Sequence, residues 1–129
     1  MKPVIIIMVA IAVLLGAVFW TNLRRADDAS QLSYETITTD VDSGAKLLDV
    51  RTPSEYAAGH ADVAELWPLQ ALEKGELPDV DPATKLYVYC RSGNRSSQAT
   101  KILRDNGYRN VVDLGGLRDI EVLGASISK

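Results

Sequence analysis

Cysteine and histidine are nearly missing from this sequence, whose 129 residues include one of each. A single cysteine excludes a disulfide within the chain, and one cysteine with one histidine is too few for a structural zinc site. We therefore expect neither a metal nor a cofactor. Any thiol chemistry has to depend on Cys90 alone.

Positive charge is also scarce beyond the first 25 residues. Three of the 14 basic residues precede Ala26, whereas all 17 acidic residues follow it, so the remainder carries a net charge of about −6. Such an acidic segment is a poor candidate for binding nucleic acid or anionic lipid. The length fits one domain, and the apolar content of 47% and the charged content of 24% are near globular averages.

Charged residues are absent from residues 4–20, which form an unbroken run of apolar or small residues. As a helix this run would measure about 25 Å, just short of the ~30 Å hydrocarbon core, and the residues that follow close the gap. We therefore assign residues 1–25 to a transmembrane anchor, with a cleaved signal peptide as the alternative, and residues 26–33 to a polar tether. Lys2 argues for one orientation and Arg24 with Arg25 for the other. The sequence does not decide between the two orientations; we favour a single-pass membrane protein with an extracytoplasmic domain.

Short apolar runs alternate with helical patterns over residues 34–129. The predicted strands are 34–38, 47–50, 86–89 and 111–114. One predicted helix opens with Thr52 as N-cap and ends at Gly59, a second covers 67–74, and a third covers 96–106 with Gly107 just beyond its end. This alternation predicts a single α/β domain with a mainly parallel sheet flanked by helices.

Cys90 directly follows the strongest strand pattern and precedes, after a short loop, the strongest helix. Such a loop turns successive backbone N–H groups toward one centre at the positive end of the helix dipole. Gly93 lets the loop curl, and Arg91 and Arg95 add positive charge. These features favour thiolate over thiol, so we expect a lowered pKa and a nucleophilic Cys90. The alternative is a buried structural cysteine.

The loop CRSGNRS at 90–96 resembles the active-site loop of the rhodanese-like sulfurtransferases. The stretch LDVRTPSEYAAGH at 48–60 is similar to the other signature of that family, and Gly115 with Gly116 is similar to its glycine pair after the last strand. The resemblance covers about residues 34–120. Within the family, this small acidic domain is most similar to the single-domain, phage-shock protein E type.

The resemblance implies a rhodanese-like domain over 34–129 and a double-displacement reaction. In that reaction the Cys90 thiolate takes the outer sulfur of a small anionic donor such as thiosulfate, becomes a persulfide and passes the sulfur to a thiol or cyanide. The residues implied in donor binding, with Arg95 and Arg91 holding its anionic end, are Arg91, Ser92, Gly93, Asn94, Arg95 and Ser96. The supporting residues are Asp49 and Arg51, expected as an internal ion pair that Glu55 completes, and His60, expected in a structural turn.

The stretch after His60 departs from the family's pattern. Val63 stands where glycine is usual, and Leu66 where asparagine is usual. We therefore expect a rearranged turn at 61–67, which affects the support of the loop and the pocket rim rather than the nucleophile. The helix after the glycine pair is also expected to be short.

Two alternatives compete with sulfur transfer. A membrane-anchored binding or redox-sensing module would keep the fold without turnover. A cysteine phosphatase needs His before the cysteine and a loop long enough to encircle phosphate. Here Tyr89 precedes Cys90 and only four residues separate Cys90 from Arg95, so the phosphatase is the weaker alternative.

Overall fold

The computed structural model describes residue 8, residues 11–16 and residues 32–129. Residues 11–16 are helical, while most of the predicted anchor at 1–25 and of the tether at 26–33 lies outside the described residues. Among the described residues, no helix has the length and apolar character needed to cross a bilayer. Ser33–Lys129 forms one compact unit.

Helices and short strands alternate through residues 33–129, as the sequence predicts. In chain order the elements are α1 (Tyr34–Asp42), β1 (Lys46–Asp49), α2 (Pro53–Ala58), β2 (His60–Ala61), β3 (Ala64–Leu66), α3 (Leu69–Glu73), β4 (Leu86–Cys90), α4 (Asn94–Asp105), β5 (Val111–Gly116), α5 (Leu117–Val122) and β6 (Ile127–Ser128).

A four-stranded parallel sheet in the order β3-β1-β4-β5 forms the centre of this unit. This arrangement confirms the predicted α/β architecture. Strands β2 and β6 form a separate antiparallel pair. Because parallel strands end at the same edge of a sheet, the carboxyl ends of β1 and β4 bring Asp49 and Cys90 to neighbouring positions.

Side chains of β4 alternate between two apolar layers. Leu86, Val88 and Cys90 pack in the layer that contains α3 and α4, whereas Tyr87 and Tyr89 pack in the layer that contains α1 and α5. All five residues are fully buried, as expected for a central parallel strand that is covered on both faces. The sheet therefore separates Cys90 from Tyr89, its neighbour in the chain.

The prediction of a strand at 34–38 is wrong, because this segment opens helix α1. Ser33 caps the helix by accepting a hydrogen bond from the Thr36 amide at 3.2 Å. Tyr34, Ile37 and Val41 follow one another at helical spacing and pack into one layer of the core. The cap and this apolar stripe outweigh the β-branched residues that favoured a strand.

The other predicted helices are confirmed with shifted ends. Helix α2 begins after Thr52, whose side chain accepts from the Glu55 amide, and it ends at Gly59. The helix predicted over 67–74 is shorter and covers Leu69–Glu73. The helix predicted over 96–106 begins two residues earlier, at Asn94, because Gly93 adopts the left-handed φ of 100° that starts it.

The turn between β2 and β3 contains the departure expected at 61–67. Val63 adopts a φ of 63° and is 45% exposed. A β-branched side chain in this left-handed region costs on the order of 1–3 kcal/mol, a cost that the usual glycine avoids. After the short helix α5, strand β6 returns to pair with β2, with Ala61 opposite Ile127. The turn is therefore strained, and the pairing of β6 with β2 holds it from the other side.

Candidate active site

Cys90 is the last residue of β4, and its sulfur faces the loop that follows. The residue is 0% exposed, yet the Gly93 amide donates a hydrogen bond to Sγ over 2.9 Å. The left-handed backbone of Gly93 turns this amide back toward the strand. The thiol is therefore buried, as the structural alternative required, but it faces hydrogen-bond donors rather than an apolar wall.

Four donors lower the pKa of Cys90. Burial, the largest single influence, raises the pKa of this thiol. The amide and hydroxyl of Ser96 and the amides of Gly93 and Ser92 act in the opposite direction and together hold the pKa below its ordinary value. The direction matches the sequence expectation. The hydrogen-bond donors are the main influence that lowers the pKa, and the charge of Arg95 also interacts with Cys90.

Strand β5 holds the loop from behind. Gly116 forms a bridge with Ser92, and the Leu117 amide donates to the Arg91 carbonyl at 3.2 Å. A Cβ at Gly116 would lie 2.6 Å from that same carbonyl oxygen, so a side chain there would push the loop away. The Asp119 carboxylate accepts from the Gly116 amide at 2.6 Å. Sequence reasoning noted the glycine pair but missed Asp119, whose position three residues beyond Gly116 is the spacing of a capping carboxylate.

Arg95 lies in the first turn of α4, and its guanidinium binds a carboxylate. Its two terminal nitrogens donate to the two Glu55 oxygens over 2.7 and 2.9 Å. This hydrogen bonding lowers the pKa of Glu55 to about 2. The expectation that Glu55 would join Arg51 is wrong, because the first turn of α2 presents Glu55 to α4 while Arg51 turns inward.

Asp49 and Arg51 form the predicted internal ion pair. The Arg51 Nε and terminal nitrogen donate to both carboxylate oxygens at 2.6–3.0 Å, and the same terminal nitrogen reaches the Gly59 carbonyl at 2.7 Å. The Arg51 side chain is 5% exposed and that of Asp49 is 0% exposed. This pair ties the end of β1 to the end of α2, next to the cysteine loop.

Tyr89 completes the buried pair, and sequence reasoning missed it. Its hydroxyl donates to Asp49 at 2.7 Å and accepts from the Ala61 amide at 3.1 Å. Burial raises the pKa of Tyr89, and the neighbouring Asp49 carboxylate raises it further, so the hydroxyl stays protonated. The signal was available, because strand alternation places Tyr89 on the face opposite Cys90, and Asp49 is its register partner on β1.

His60 begins strand β2 and pairs with Ser128 of β6, so it does not occupy the turn that the sequence predicts. Its ring stacks on Tyr56 with centroids 3.7 Å apart, and its Nδ1 lies 2.8 Å from the Tyr56 carbonyl oxygen. Tyr56 in turn donates its hydroxyl to the Ala64 carbonyl at 2.8 Å. These contacts are those of a residue that joins α2 to the strained turn.

The remaining loop residues face outward. Arg91 and Ser92 are exposed, and Asn94 accepts from Gln98 within α4. Arg91 lines a cavity of about 280 Å³ together with Leu117 and Ile127. Among the ion pairs of residues 32–129, none includes Arg91. Its guanidinium is therefore open to an anion from solution.

Comparison with known proteins is consistent with this geometry. The rhodanese-like domain model matches residues 33–121. The thiosulfate sulfurtransferase PspE of Escherichia coli strain K12 is 38% identical over 76 residues, which are 57% of this chain and 71% of that protein. The thiosulfate:glutathione sulfurtransferase of Saccharomyces cerevisiae is 35% identical over 101 residues, which are 69% of this chain and 73% of that protein.

A larger relative shares one segment only. In the adenylyltransferase and sulfurtransferase uba4 of Ogataea parapolymorpha, the 72 matched residues are 43% identical but make up 18% of that protein. Among solved structures, a rhodanese with anions from E. coli superposes with a TM-score of 0.58 at 33% identity, covering 67% of this chain and 99% of that one. With the family model spanning most of the chain and relatives of similar size named as sulfurtransferases, this chain belongs to the rhodanese-like family of sulfurtransferases.

Proposed function

We propose that this protein moves sulfane sulfur from a small anionic donor, such as thiosulfate, through a persulfide on Cys90 to a thiol or to cyanide. The observation that carries the proposal is the orientation of Cys90 Sγ toward the amide of Gly93 and the donors of Ser92 and Ser96. An amide cradle of this kind stabilises a sulfur anion before and after the transfer.

The reaction consists of two displacements at sulfur. The Cys90 thiolate attacks the outer sulfur of thiosulfate, the S–S bond of the donor breaks, and sulfite leaves with the electron pair. The terminal sulfur of the new persulfide carries the negative charge that the thiol sulfur carried. An acceptor thiolate then attacks that terminal sulfur, the persulfide S–S bond breaks, and the Cys90 thiolate is regenerated. The hydrogen-bond donors that lower the pKa of the Cys90 thiol favour the thiolate needed for the first attack.

Because Cys90 is buried, this mechanism requires a way for the donor to reach the sulfur. With 0% of the residue exposed, a donor reaches the sulfur only when part of the rim moves aside. The parts of the rim that carry charge are Arg91 and the Glu55–Arg95 pair, whose side chains are partly exposed. We assign donor binding to these two arginines because a guanidinium matches the oxygens of a sulfonate group. Arg95→Ala should weaken donor use more than folding, and unchanged thiosulfate kinetics would reject this role.

The acceptor is proposed as a thiol of low molecular weight. The yeast relative, whose name includes glutathione as well as thiosulfate, supports this choice. The cavity beside Arg91 adds a second argument, because it combines a cationic side chain with the apolar Leu117 and Ile127.

The decisive experiment is mass spectrometry of the protein after incubation with thiosulfate. We expect one added sulfur atom on the peptide that contains Cys90, and its removal when a thiol or cyanide is added. Cys90→Ser should abolish the adduct and turnover, whereas Ser97→Ala, an exposed change on α4, should leave both intact. Thiocyanate release by Cys90→Ser at the parent's rate would reject the nucleophile. An adduct that no acceptor removes would favour the redox-sensing alternative instead.

We also propose that residues 1–25 anchor the protein in a membrane as a single pass, with the domain on the extracytoplasmic side. The support is the uncharged apolar run at 4–20 with Trp20 at its end. The intact mass of protein extracted from membranes tests the anchor, and a mature chain beginning near Ala26 would mean a cleaved signal peptide. Protease protection in sealed vesicles tests the orientation.

A further inference from the structure

The Glu55–Arg95 pair presents a conflict for a protein that binds an anionic donor. Both terminal nitrogens of Arg95 are engaged by the two Glu55 oxygens, over 2.7 and 2.9 Å. A sulfonate offers the same fork geometry as a carboxylate, namely two oxygens on one atom. Glu55 therefore occupies the position on Arg95 that a sulfonate would take.

The pair is accessible enough to be exchanged. Its side chains are 31% exposed at Arg95 and 25% exposed at Glu55, and ion pairs at this exposure are weakly held because water and salt compete with them. A cavity of about 220 Å³ reaches the pair from the Arg95 side, and the cavity of about 280 Å³ reaches it from the Glu55 side. An anion can therefore approach Arg95 without unfolding either helix.

Glu55 keeps a hydrogen bond with Thr52 when its ion pair with Arg95 breaks. The Thr52 hydroxyl lies 3.2 Å from Glu55 Oε1, and the Glu55 amide is held by the same hydroxyl at the start of α2. The carboxylate at the N-terminal turn of a helix is also favoured by the helix dipole. Displacement from Arg95 consequently leaves a carboxylate that is still hydrogen-bonded and solvated.

We propose that Glu55 is a specificity-determining residue, which binds Arg95 and which an anionic sulfur donor must displace. This inference rests on the proposed function for its biological meaning, but the displacement itself is a binding event. It makes donor affinity a competition between two anions for one guanidinium. Glu55 thereby favours donors with a full sulfonate-like charge over weaker anions.

The test compares Glu55→Gln with the parent protein. Glutamine keeps the shape and one acceptor for Arg95 but removes the competing charge. We expect the KM for thiosulfate to fall roughly 1.5- to fivefold, the range for an exchangeable ion pair at the surface, with little change in kcat. Glu65→Gln is the matched control, since Glu65 is an exposed acid on β3 whose partner is Lys46, and it should leave KM unchanged.

A second measurement separates displacement from a general loss of negative charge. In an Arg95→Gln background, Glu55→Gln should no longer lower the KM, because the contested guanidinium is gone. A fall of the same size in that background would overturn the inference, since the charge would then act at a distance. An unchanged or higher KM for Glu55→Gln alone would also overturn it, because Glu55 would then position Arg95 rather than compete for it.

A binding experiment distinguishes failure of this inference from failure of the proposed function. Thiosulfate is titrated by calorimetry into Cys90→Ser and into Cys90→Ser with Glu55→Gln, neither of which can turn over. Tighter binding to the double variant supports displacement even if the parent transfers no sulfur. Equal affinity, or binding to neither protein, overturns displacement even if the parent is an active sulfurtransferase.

Discussion

Two arginine–carboxylate pairs lie beside the cysteine loop, and they differ in almost everything except their chemistry. Asp49–Arg51 is sealed, with side chains 0% and 5% exposed, and its polar atoms are further bonded to Tyr89 and Gly59. In Glu55–Arg95 the exposures are 25% and 31%, and the pair lies between two open cavities. The same two functional groups therefore serve as a brace in one place and as an exchangeable contact in the other.

The difference shows that burial and saturation, rather than the presence of a charge, decide what an ion pair does. Removing one partner of a buried pair leaves a desolvated charge, whereas an exposed pair that breaks is rehydrated. Only the exposed pair can exchange one anion for another at low cost. The sealed pair instead fixes the end of β1 beside the cysteine loop.

The sharpest way to break this comparison is to remove the arginine from each pair. Arg51→Leu should lower the free energy of unfolding by about 3–5 kcal/mol, because Asp49 is left charged and buried. Arg95→Leu should lower it by no more than about 1 kcal/mol. Urea denaturation measures both.

Arg51→Lys covers the case in which Arg51→Leu does not fold. Lysine keeps the charge but loses the forked contact, so the cost should fall between those of the two leucine variants. Equal losses for Arg51→Leu and Arg95→Leu would contradict the division into a brace and an exchangeable contact.

A smaller effect should follow from removing one hydroxyl on the sealed side. Tyr89→Phe deprives Asp49 of a donor and leaves the Ala61 amide without its acceptor, so we expect a loss of about 1–3 kcal/mol. Tyr87→Phe is the matched control on the same strand face. Its hydroxyl bonds Asp40 over 2.6 Å, but that carboxylate is 31% exposed and water can replace the bond. A Tyr87 variant as unstable as the Tyr89 variant would show that sealing is not what matters.

Sequence patterns predicted the helices and strands that surround this site but not which side chains pair with one another. The strand before Cys90, the helix after it and the N-cap at Thr52 follow from local periodicity and capping chemistry, which neighbouring residues determine. The Asp49–Arg51 pair was also predictable, since two residues on one strand end have few other partners. The pairing of Glu55 with Arg95 could not be predicted. Arg95 is distant in sequence, and it meets Glu55 only because α2 and α4 pack at the same edge of the sheet.

The edge strand expected at 34–38 failed for a related reason. The β-branched residues there indicate a strand, and only the buried spacing of Tyr34 with Ile37, together with the Ser33 cap, reveals the helix. Similarly, the sequence predicts that Arg91 and Arg95 both add positive charge beside Cys90. The structure shows one arginine held by a carboxylate and a thiol served by amides and a hydroxyl. Local patterns give elements, while partners depend on how the elements pack.

Replacing Val63 in the strained turn should raise the free energy of unfolding without affecting the Glu55–Arg95 pair. Val63→Gly removes a β-branched side chain from a φ of 63°, and we expect about 1–2 kcal/mol more stability. The turn follows β2, whose Ala61 amide donates to Tyr89. Removing the backbone strain should therefore stabilise the Asp49–Arg51–Tyr89 network without altering Glu55 or Arg95. Val63→Ala is the control, since it keeps the unfavourable φ with a smaller side chain and should gain less. A change in the KM for thiosulfate in the glycine variant would show that the two pairs are coupled.

The smallest expected effect is the contribution of the exposed pair to stability in acid. Hydrogen bonding from Arg95 lowers the pKa of Glu55 from an ordinary value of 4.5 to about 2. A carboxyl with a depressed pKa in the folded state contributes stability that is present above its unfolded pKa and is lost as the pH falls through the folded value. Between about pH 4.5 and about pH 2 the parent should therefore lose up to about 1 kcal/mol that Glu55→Gln does not lose, after allowance for solvent screening of this partly exposed pair. Urea midpoints of the two proteins at both ends of this range measure the difference, with Glu65→Gln as the control. Added salt should shrink the difference, because the pair is open to ions. Parallel loss of stability in parent and Glu55→Gln would mean that Glu55 and Arg95 are not paired in solution.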